Sequence, residues 1–336
     1  MQITIPQNSE LVNNLITILE AHRSTFKQER VFNRVVALVI AEVMVFARHT
    51  VTQLLMALGL NEEDWSAWYR LFSSRRFDEA AVSEVMLDET LAHVGEEDLY
   101  VVAGDGTQVP RASREMEGTS WLRNPRTPVF KIGIHRAQRW FHGSWLMPAE
   151  NGYSRAMPLR FLPAFPEKAV RQEHEACKEW EAAARFLHWL RQGLDVRGRD
   201  RQIILKVGDG SYDTLPLWKA LPERTVMLTR SAKNRRLYHL MNDQQRQDGR
   251  RKYGDRAPKP QDFLRQRKGW RYTTLTIRGR QRRLRYRVEG PFVRYGAPDT
   301  PLFLIVVGGQ HYTTRSGRRK YREPVYYLVN AFQDCF

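Results

Sequence analysis

The stretch that decides the fold is Val101-Val102-Ala103-Gly104-Asp105-Gly106-Thr107, in which an apolar run ends on a carboxylate between two glycines. The same order of residue types returns in Ile203-Ile204-Leu205-Lys206-Val207-Gly208-Asp209-Gly210-Ser211. Short apolar runs bounded by glycine are typical of interior strands. We therefore predict two strands of one sheet, with Asp105 and Asp209 at their ends and with glycines that let the backbone pass close to a ligand.

Two carboxylates facing one site indicate a divalent metal. Mg²⁺ and Mn²⁺ take oxygen ligands, and two such ions about 4 Å apart can hold the attacking and leaving oxygens of a phosphodiester. An Asp between glycines is also common in ordinary turns, where its side chain accepts hydrogen bonds from the amides that follow. The repetition of the pattern favours the metal site over the turn.

The charge of the chain predicts a polyanionic partner. The 336 residues carry a formal charge of +17, and nucleic acid is the commonest polyanion bound by soluble proteins. Residues 1–100 hold 8 Lys and Arg against 15 Asp and Glu, whereas residues 224–324 hold 27 against 7. The basic surface is therefore expected in the second region and not along a low-complexity tail.

The composition is that of a globular protein with two or three domains, since 42% of its 336 residues are hydrophobic. Cys177 and Cys335 are too few for a disulfide framework or a zinc site, which fits a reducing cytoplasm. The longest apolar run, residues 35–47, contains Glu42 and is too short to cross a bilayer. We expect a cytoplasmic protein with no membrane partner.

The first part of the chain is predicted to be helical, because apolar residues recur at spacings of three and four from Ser9 to about His93. Residues 50–68 have the helix, glycine turn, helix order of a helix-turn-helix motif. The second helix opens with three acidic residues at positions 62–64, whereas a recognition helix presents basic or amide side chains to the bases. We interpret this segment as a structural helix pair.

The middle of the chain alternates between extended and helical patterns, which predicts an α/β protein with a mixed sheet flanked by helices. A helix is expected to begin at residues 213–214, with Pro216 in its first turn. The other elements predicted after Asp105 are strands at 129–137 and 144–147, a helix at 173–194, the strand ending at Asp209, and a strand at 225–229.

The segments Gly104-Asp105-Gly106-Thr107 and Gly208-Asp209-Gly210-Ser211-Tyr212-Asp213, the strand at 226–230, and Trp65 and Tyr69 carry a resemblance to a known family. With them, most of the chain resembles the DDE-type transposases of bacterial insertion sequences. The resemblance implies an RNase H-like core with Mg²⁺ or Mn²⁺ between an Asp on the first strand and an Asp ending the fourth. In this chain the catalytic and metal-binding pair would be Asp105 and Asp209.

The resemblance also implies a β-rich insertion after the fifth strand, for which residues 231–323 are a candidate. Residues 270–277 and 282–288 alternate like two strands of a hairpin with Gly279 in the connection. Three arginines about 7 Å apart on one face suit a phosphate backbone, although a solvated strand face also alternates in charge. The residues expected to contact DNA are Lys268, Arg271, Arg278, Arg280, Arg282, Arg283, Arg285 and Arg287.

The third acid that the resemblance implies, a Glu on a helix after the last strand, has no candidate in the sequence. Glu323 precedes the last predicted strand at 325–332, Glu289 lies in the basic insertion, and Asp334 has no helix to hold it. We therefore expect an incomplete catalytic set, as in a fragment or a frameshifted copy of a transposase.

Three functional classes stay open. The first is a metal-dependent DNA transposase that cleaves and joins transposon ends but is inactive as this truncated chain. The second is a non-catalytic DNA-binding protein derived from such an enzyme, and the third is an RNA-binding or structural basic protein, which leaves the repeated Gly-Asp-Gly unexplained. The expected partner is double-stranded DNA, in the bacterial cytoplasm at the nucleoid, and a homodimer is a possible assembly that the sequence leaves open. The expected domains are an all-α N-terminal domain at 1–97, an RNase H-like core at 98–230, a basic β-rich insertion at 231–323, and the last core strand at 324–336.

Overall fold

The chain divides into two compact units, Met1–Glu89 and Thr90–Phe336. The structure is a computed structural model in which no described helix is long and apolar enough to cross a membrane. The described residues are 10–46, 48–73, 76–128, 130–171, 174–247, 249, 251–314 and 316–330.

The first unit is helical, as the spacing of its apolar residues predicts. Its core packs Leu38 of the second helix against Leu55 of the third and Trp68 of the fourth. Gly59 ends the third helix with φ +73°, a backbone conformation that glycine adopts without strain. The helices are α1 Glu10–Ala21, α2 Glu29–Met44, α3 Val51–Ala57, α4 Ser66–Ser73 and α5 Glu79–Leu91, the last of which runs on into the second unit.

The second unit is built on a long mixed sheet. Its strands and helices, in chain order, are β1 Tyr100–Pro110, β2 Thr119–Arg123, β3 Ile134–Leu146, β4 Ala156–Pro163, α6 Glu179–Val196, β5 Ile204–Gly208, α7 Leu215–Lys219, β6 Thr225–Arg230, β7 Tyr238–His239, α8 Asp243–Gln247, β8 Arg271–Ile277, β9 Arg280–Arg294, β10 Ala297–Val307, β11 Gln310–Thr313, β12 Arg319–Arg322 and β13 Val325–Val329.

The strand order along the sheet is β2-β3-β1-β5-β6-β13-β10-β9-β7, with β4 paired to β3 and β8 paired to β9. β5 lies between β1 and β6 and is parallel to both, whereas β3 and β13 run antiparallel to their neighbours. Strands β11 and β12 form a separate pair. The mixed sheet flanked by helices that the sequence predicts is therefore confirmed.

Helix α6 covers one face of this sheet. Its Phe186 packs on Phe141 of β3 at a ring distance of 5.6 Å, and a side chain at Gly143 would collide with the Phe186 ring. The opposite face carries a smaller apolar cluster around Val226 and Val329. The two faces are thus unequal, and the larger core lies between α6 and the strands that carry the Gly-Asp-Gly repeats.

Several elements differ from the sequence prediction. Of the extended runs expected at 129–137 and 144–147, residues 134–137 and 144–146 lie in one strand, β3, and residue 129 lies outside the described residues. Strand β3 pairs with β1 on one side and with β2 and β4 on the other. Within residues 231–323, strands β9 and β10 extend the main sheet beyond β13. Of the last strand expected at 325–332, β13 covers Val325–Val329, and residues 331–332 lie outside the described residues.

Candidate functional site

The two repeated aspartates lie on neighbouring strands. Val102 pairs with Lys206 and Ala103 with Val207 in the parallel register of β1 and β5. Two residues further on, Asp105 and Asp209 therefore occupy matching positions, on strands that are spaced about 5 Å apart. The register alone brings the two residues together.

The surroundings of the two aspartates differ from the prediction in one respect. Asp209 directly follows the end of β5, as expected, but Asp105 lies inside β1, which continues to Pro110. The longer β1 is held by its pairing with β3, in which Asp105 stands opposite His142. The ring of His142 stacks on that of Phe161 at 5.1 Å.

Both carboxylates are exposed to solvent and accept hydrogen bonds through Oδ1. The amide of Gly106 donates to Asp105 at 2.8 Å, and the amide and hydroxyl of Ser211 donate to Asp209 at 2.8 and 2.5 Å. The bonds to Asp209 cap the short 3-10 helix Gly210–Tyr212. The sequence allowed two roles for Asp209, as a cap of the turn that follows and as a metal ligand. The capping role is present in the structure and uses one oxygen of the carboxylate.

The glycines of the repeats make room for side chains of the protein itself. A side chain at Gly104 would lie 2.6 Å from the ring of Phe141, and one at Gly106 would lie 2.6 Å from the carboxylate of Glu179. One at Gly208 would collide with the ammonium group of Lys206. On the face covered by α6, these glycines therefore make room for an aromatic ring, an acid and a base.

Glu179 is a charged residue of this site that sequence reasoning missed. It begins α6, accepts a hydrogen bond of 2.9 Å from the hydroxyl of Tyr212, and lies 3.3 Å from the guanidinium of Arg139. Burial and the neighbouring Glu179 raise the pKa of the Tyr212 hydroxyl above its usual range, so this hydroxyl remains a donor. Since side chains alternate along a strand, Glu179 contacts the face of β1 opposite to Asp105.

Lys206 is the second charged residue that the sequence did not reveal. Its side chain is 1% exposed, and its Nζ lies 3.7 Å from the centre of the Tyr212 ring. Within the described part of the chain, this Nζ has no hydrogen-bond partner. Burial lowers the pKa of Lys206 from 10.5 to about 7, against the opposing pull of Asp209, Asp105 and Glu179. A buried amine thus lies within the electrostatic influence of three carboxylates without forming an ion pair or a hydrogen bond with any described residue.

Asp213, the last residue of the second motif, has a structural environment. Its carboxylate is completely buried and accepts hydrogen bonds from Trp218 Nε1 at 3.1 Å, Ser231 Oγ at 3.0 Å and Arg294 at 2.6 Å, and also from Arg235. This network ties α7 to β6 and β9. Asp213 is consequently not open to a metal ion, although it is near Asp209 in the sequence.

The metal ligands that the site offers are the carboxylates of Asp105 and Asp209, and a pair of carboxylates suits a divalent cation. The described residues contain no group of three or more His, Cys, Asp or Glu arranged to hold a metal ion. Asp105 and Asp209 nonetheless offer exposed, hard oxygen donors of the kind that Mg²⁺ and Mn²⁺ take. Of the other acids considered, Glu289 pairs with Arg287, and Asp334 lies outside the described residues.

The predicted basic hairpin is formed by β8 and β9. Arg278 and Gly279 make its two-residue turn with φ of +52° and +68°, the signs required by a type I′ turn. The guanidinium of Arg283 lies 4.6 Å from the Tyr272 ring centre, and that of Arg285 lies 4.2 Å from the Trp270 ring centre. A groove of about 390 Å³ beside them is lined by Tyr272, Arg283, Arg285, Gly308, Gly309 and Gln310.

Arg287, the third arginine of the expected row, is not on this surface. It is 4% exposed and donates to the carbonyl of Phe263 at 3.1 Å, to Gln266 at 2.9 Å and to Glu289 at 2.6 Å. Its role is to hold the segment before β8 against β9, and a phosphate cannot reach it. The remaining basic residues of the expected set are exposed, apart from the half-buried Arg282: Lys268, Arg271, Arg278, Arg280, Arg283 and Arg285.

The second unit is thus a mixed α/β core that carries two paired aspartates on β1 and β5 and a basic hairpin on β8 and β9. The family model that matches the chain is that of the DDE superfamily endonucleases, and the match covers residues 22–290. The chain therefore belongs to the DDE superfamily of endonucleases. The search of curated proteins finds no match.

Membership in this superfamily confirms the resemblance to DDE-type transposases and the RNase H-like character of the fold. Endonucleases of this superfamily act on DNA and generally use divalent metal ions. The strand order found here, with the two aspartates on adjacent parallel strands, agrees with that core.

Proposed function

We propose that the protein is a DDE transposase whose site for divalent metal ions is formed by Asp105 and Asp209. The observation that carries this proposal is the register of β1 and β5, which sets the two exposed aspartates at matching positions on adjacent strands. We place its action on transposon ends, in the bacterial cytoplasm at the nucleoid.

The chemistry of such a site follows from the charges. Bound divalent ions would polarise the phosphodiester and neutralise the charge that develops on its oxygens. The contribution of the chain is to hold the two carboxylates in place: the amides of Gly106 and Ser211 orient one oxygen of each aspartate. The second oxygens of the two carboxylates stay available to a metal, since the hydrogen bonds to Asp105 and Asp209 go to Oδ1 and both residues are exposed.

The β8–β9 hairpin is the DNA-binding surface of this proposal. Arg283 and Arg285 rest against aromatic rings, so that their guanidinium groups are already ordered before a phosphate binds. Gly308 and Gly309 line the same groove, and Gly308 leaves room for the guanidinium of Arg285. Because these contacts involve no base edge, they support affinity and not sequence recognition.

We further propose that the chain binds DNA without cleaving it. The superfamily resemblance calls for a third acid. Two acids considered for this role are engaged elsewhere, Glu179 with Tyr212 and Arg139, and Glu289 with Arg287. Catalysis needs placement to about half an ångström, whereas phosphate contacts on the hairpin do not depend on the metals. Loss of one metal ligand should therefore abolish cleavage and spare DNA binding.

A nicking assay tests the catalytic part of this proposal. The 336-residue chain is incubated with supercoiled DNA and Mg²⁺ or Mn²⁺, next to Asp105→Asn and Asp209→Asn. We expect no metal-dependent nicking by the chain or by either variant. Strong metal-dependent nicking by this chain, abolished by either substitution, would show that the two-aspartate site needs no further acid.

DNA binding is tested by comparing two double variants over a range of salt concentrations. Arg283→Ala with Arg285→Ala should weaken binding to all sequences and reduce the slope of log affinity against log salt by about 2, since each phosphate contact contributes about 0.9. Lys168→Ala with Lys219→Ala removes two exposed charges elsewhere and serves as the control. An equal loss in both variants would mean that only overall charge matters.

A further inference from the structure

The Gly-Asp-Gly repeats do more than present two aspartates, because they also bring a buried cation beneath them. Lys206 precedes Asp209 by three residues on the same strand, and its side chain points to the face covered by α6. Gly208 leaves the space into which the amine fits, since a Cβ at position 208 would lie 2.4 Å from Lys206 Nζ. A Cβ at position 104 would lie 3.8 Å from Lys206 Cε. A side chain at position 208 would therefore displace the amine of Lys206, whereas one at position 104 would only make an ordinary contact with it.

The surroundings of the Lys206 ammonium are aromatic and acidic. It lies 3.7 Å from the centre of the Tyr212 ring, and its charge interacts with Asp209, Asp105 and Glu179. Lysine is almost never fully buried unless it is paired, and the described residues offer this Nζ no hydrogen-bond partner. The field of the three acids and the face of one ring offset part of the cost of burying this charge.

We propose that Lys206 is the internal counter-charge of the Asp105–Asp209 site, a positioning residue that balances the aspartates in the metal-free protein and sets the affinity of the site for divalent cations. This inference rests on the proposed function, because it assumes that the metal binds at the two aspartates. It assigns to Lys206 no contact with DNA or with the reacting atoms.

The direction of the effect follows from the charges of the three residues. Two aspartates alone present a charge of −2 to an approaching cation, whereas the lysine reduces that charge to −1. A unit positive charge several ångströms from a divalent ion, in a site partly open to water, lowers its affinity by about tenfold. Removing the charge should therefore tighten metal binding, although loss of a merely structural residue would weaken it.

The experiment is a titration of the full chain with Mn²⁺ at pH 6, where the Lys206 amine carries its charge, followed by the electron paramagnetic resonance signal of the free ion. Four proteins are compared: wild type, Lys206→Met, Asp105→Asn and Lys219→Met. The methionine keeps the length of the lysine without its charge, and Lys219 is an exposed lysine of α7 that receives the same substitution. Lys206→Gln, a second neutral variant, is measured if Lys206→Met does not give folded protein by circular dichroism.

We expect Lys206→Met to bind Mn²⁺ about tenfold more tightly than the wild type, Lys219→Met to match the wild type, and Asp105→Asn to bind more weakly. If the wild type binds through Asp105 but the neutral variants at 206 bind no more tightly, the role of Lys206 is refuted and the metal site stands. If neither the wild type nor the neutral variants bind Mn²⁺, both the metal site and the inference fail.

Discussion

The buried ammonium group of Lys206 also gives a quantitative prediction about stability. Folding removes it from water, and its pKa falls from 10.5 to about 7 because burial disfavours the charged form. Lys206→Met retains an unbranched side chain of similar length and has no charge to bury. In metal-free protein at low pH, we expect this variant to have a higher free energy of unfolding than the wild type.

The sign and size follow from proton binding. Between pH 7 and pH 10.5 the unfolded chain holds a proton on residue 206 that the folded chain has released, so wild-type stability rises with pH in this window. At about 1.4 kcal/mol per pKa unit, the cost is about 5 kcal/mol below pH 7 and disappears above pH 10.5. The contact with the Tyr212 ring offsets on the order of 1 kcal/mol of this.

The assay is urea unfolding in EDTA, followed by circular dichroism, for wild type, Lys206→Met and the exposed control Lys219→Met. The advantage of Lys206→Met over wild type should shrink by about 3 kcal/mol between about pH 7 and about pH 9.5. The control should differ from wild type by a constant amount. A pH-independent difference for Lys206→Met, or a wild type that is more stable than this variant at pH 6, would refute the claim that burying the charge of Lys206 lowers the free energy of unfolding.

Other substitutions separate the roles of neighbouring residues. Gly106→Ala places a methyl group 2.6 Å from the carboxylate of Glu179. The clash should lower the free energy of unfolding by roughly 1–3 kcal/mol and the melting temperature by several degrees. Adding Glu179→Ala removes the clash, so the melting temperature of the double variant should recover in part. Arg287→Ala leaves Glu289 without its ion pair and should destabilise the protein by roughly 3 kcal/mol in urea unfolding; a stable variant with reduced DNA affinity would contradict its burial. Asp213→Ala leaves two arginines without their carboxylate, and we expect insoluble or unfolded protein by circular dichroism, which a folded variant would disprove.

Much of the core could be predicted from the sequence, because short apolar runs and the glycines that bound them are visible within a few residues. The apolar runs before Asp105 and Asp209 became adjacent parallel strands, since short apolar runs separated by a helix favour this arrangement. The length of β1 was not predictable. Residues after Asp105 lack an apolar pattern, and they are extended because β3 pairs with them as far as Pro110.

The arginines of β9 show a limit of prediction from the alternation of side chains along a strand. Alternation placed Arg283, Arg285 and Arg287 on one face of β9, but it cannot say what covers that face. The segment Pro260–Arg265 packs over the far end of the strand and buries Arg287, whereas Arg283 and Arg285 stay exposed. This contact depends on the tertiary fold and has no signature in the residues of the strand.

Lys206 and Glu179 were missed for a related reason. A single lysine in an apolar run is read as a surface residue or an edge of the strand, and Glu179 is one of several acids at the start of a helix. Only the fold brings both beneath the repeats, through space left by Gly106 and Gly208. The glycine pairs were the one signal in the sequence. They indicate close packing at these positions but do not identify Lys206 and Glu179 as the side chains that pack there.

The most direct test of the metal site is a crystal of the protein grown with Mn²⁺ and measured for anomalous scattering. The account predicts an anomalous peak between strands β1 and β5, with carboxylate oxygens of both Asp105 and Asp209 at about 2.1 Å, the distance typical of small hard cations. A fully occupied peak at other residues, or none near the two aspartates at a saturating Mn²⁺ concentration, would contradict it.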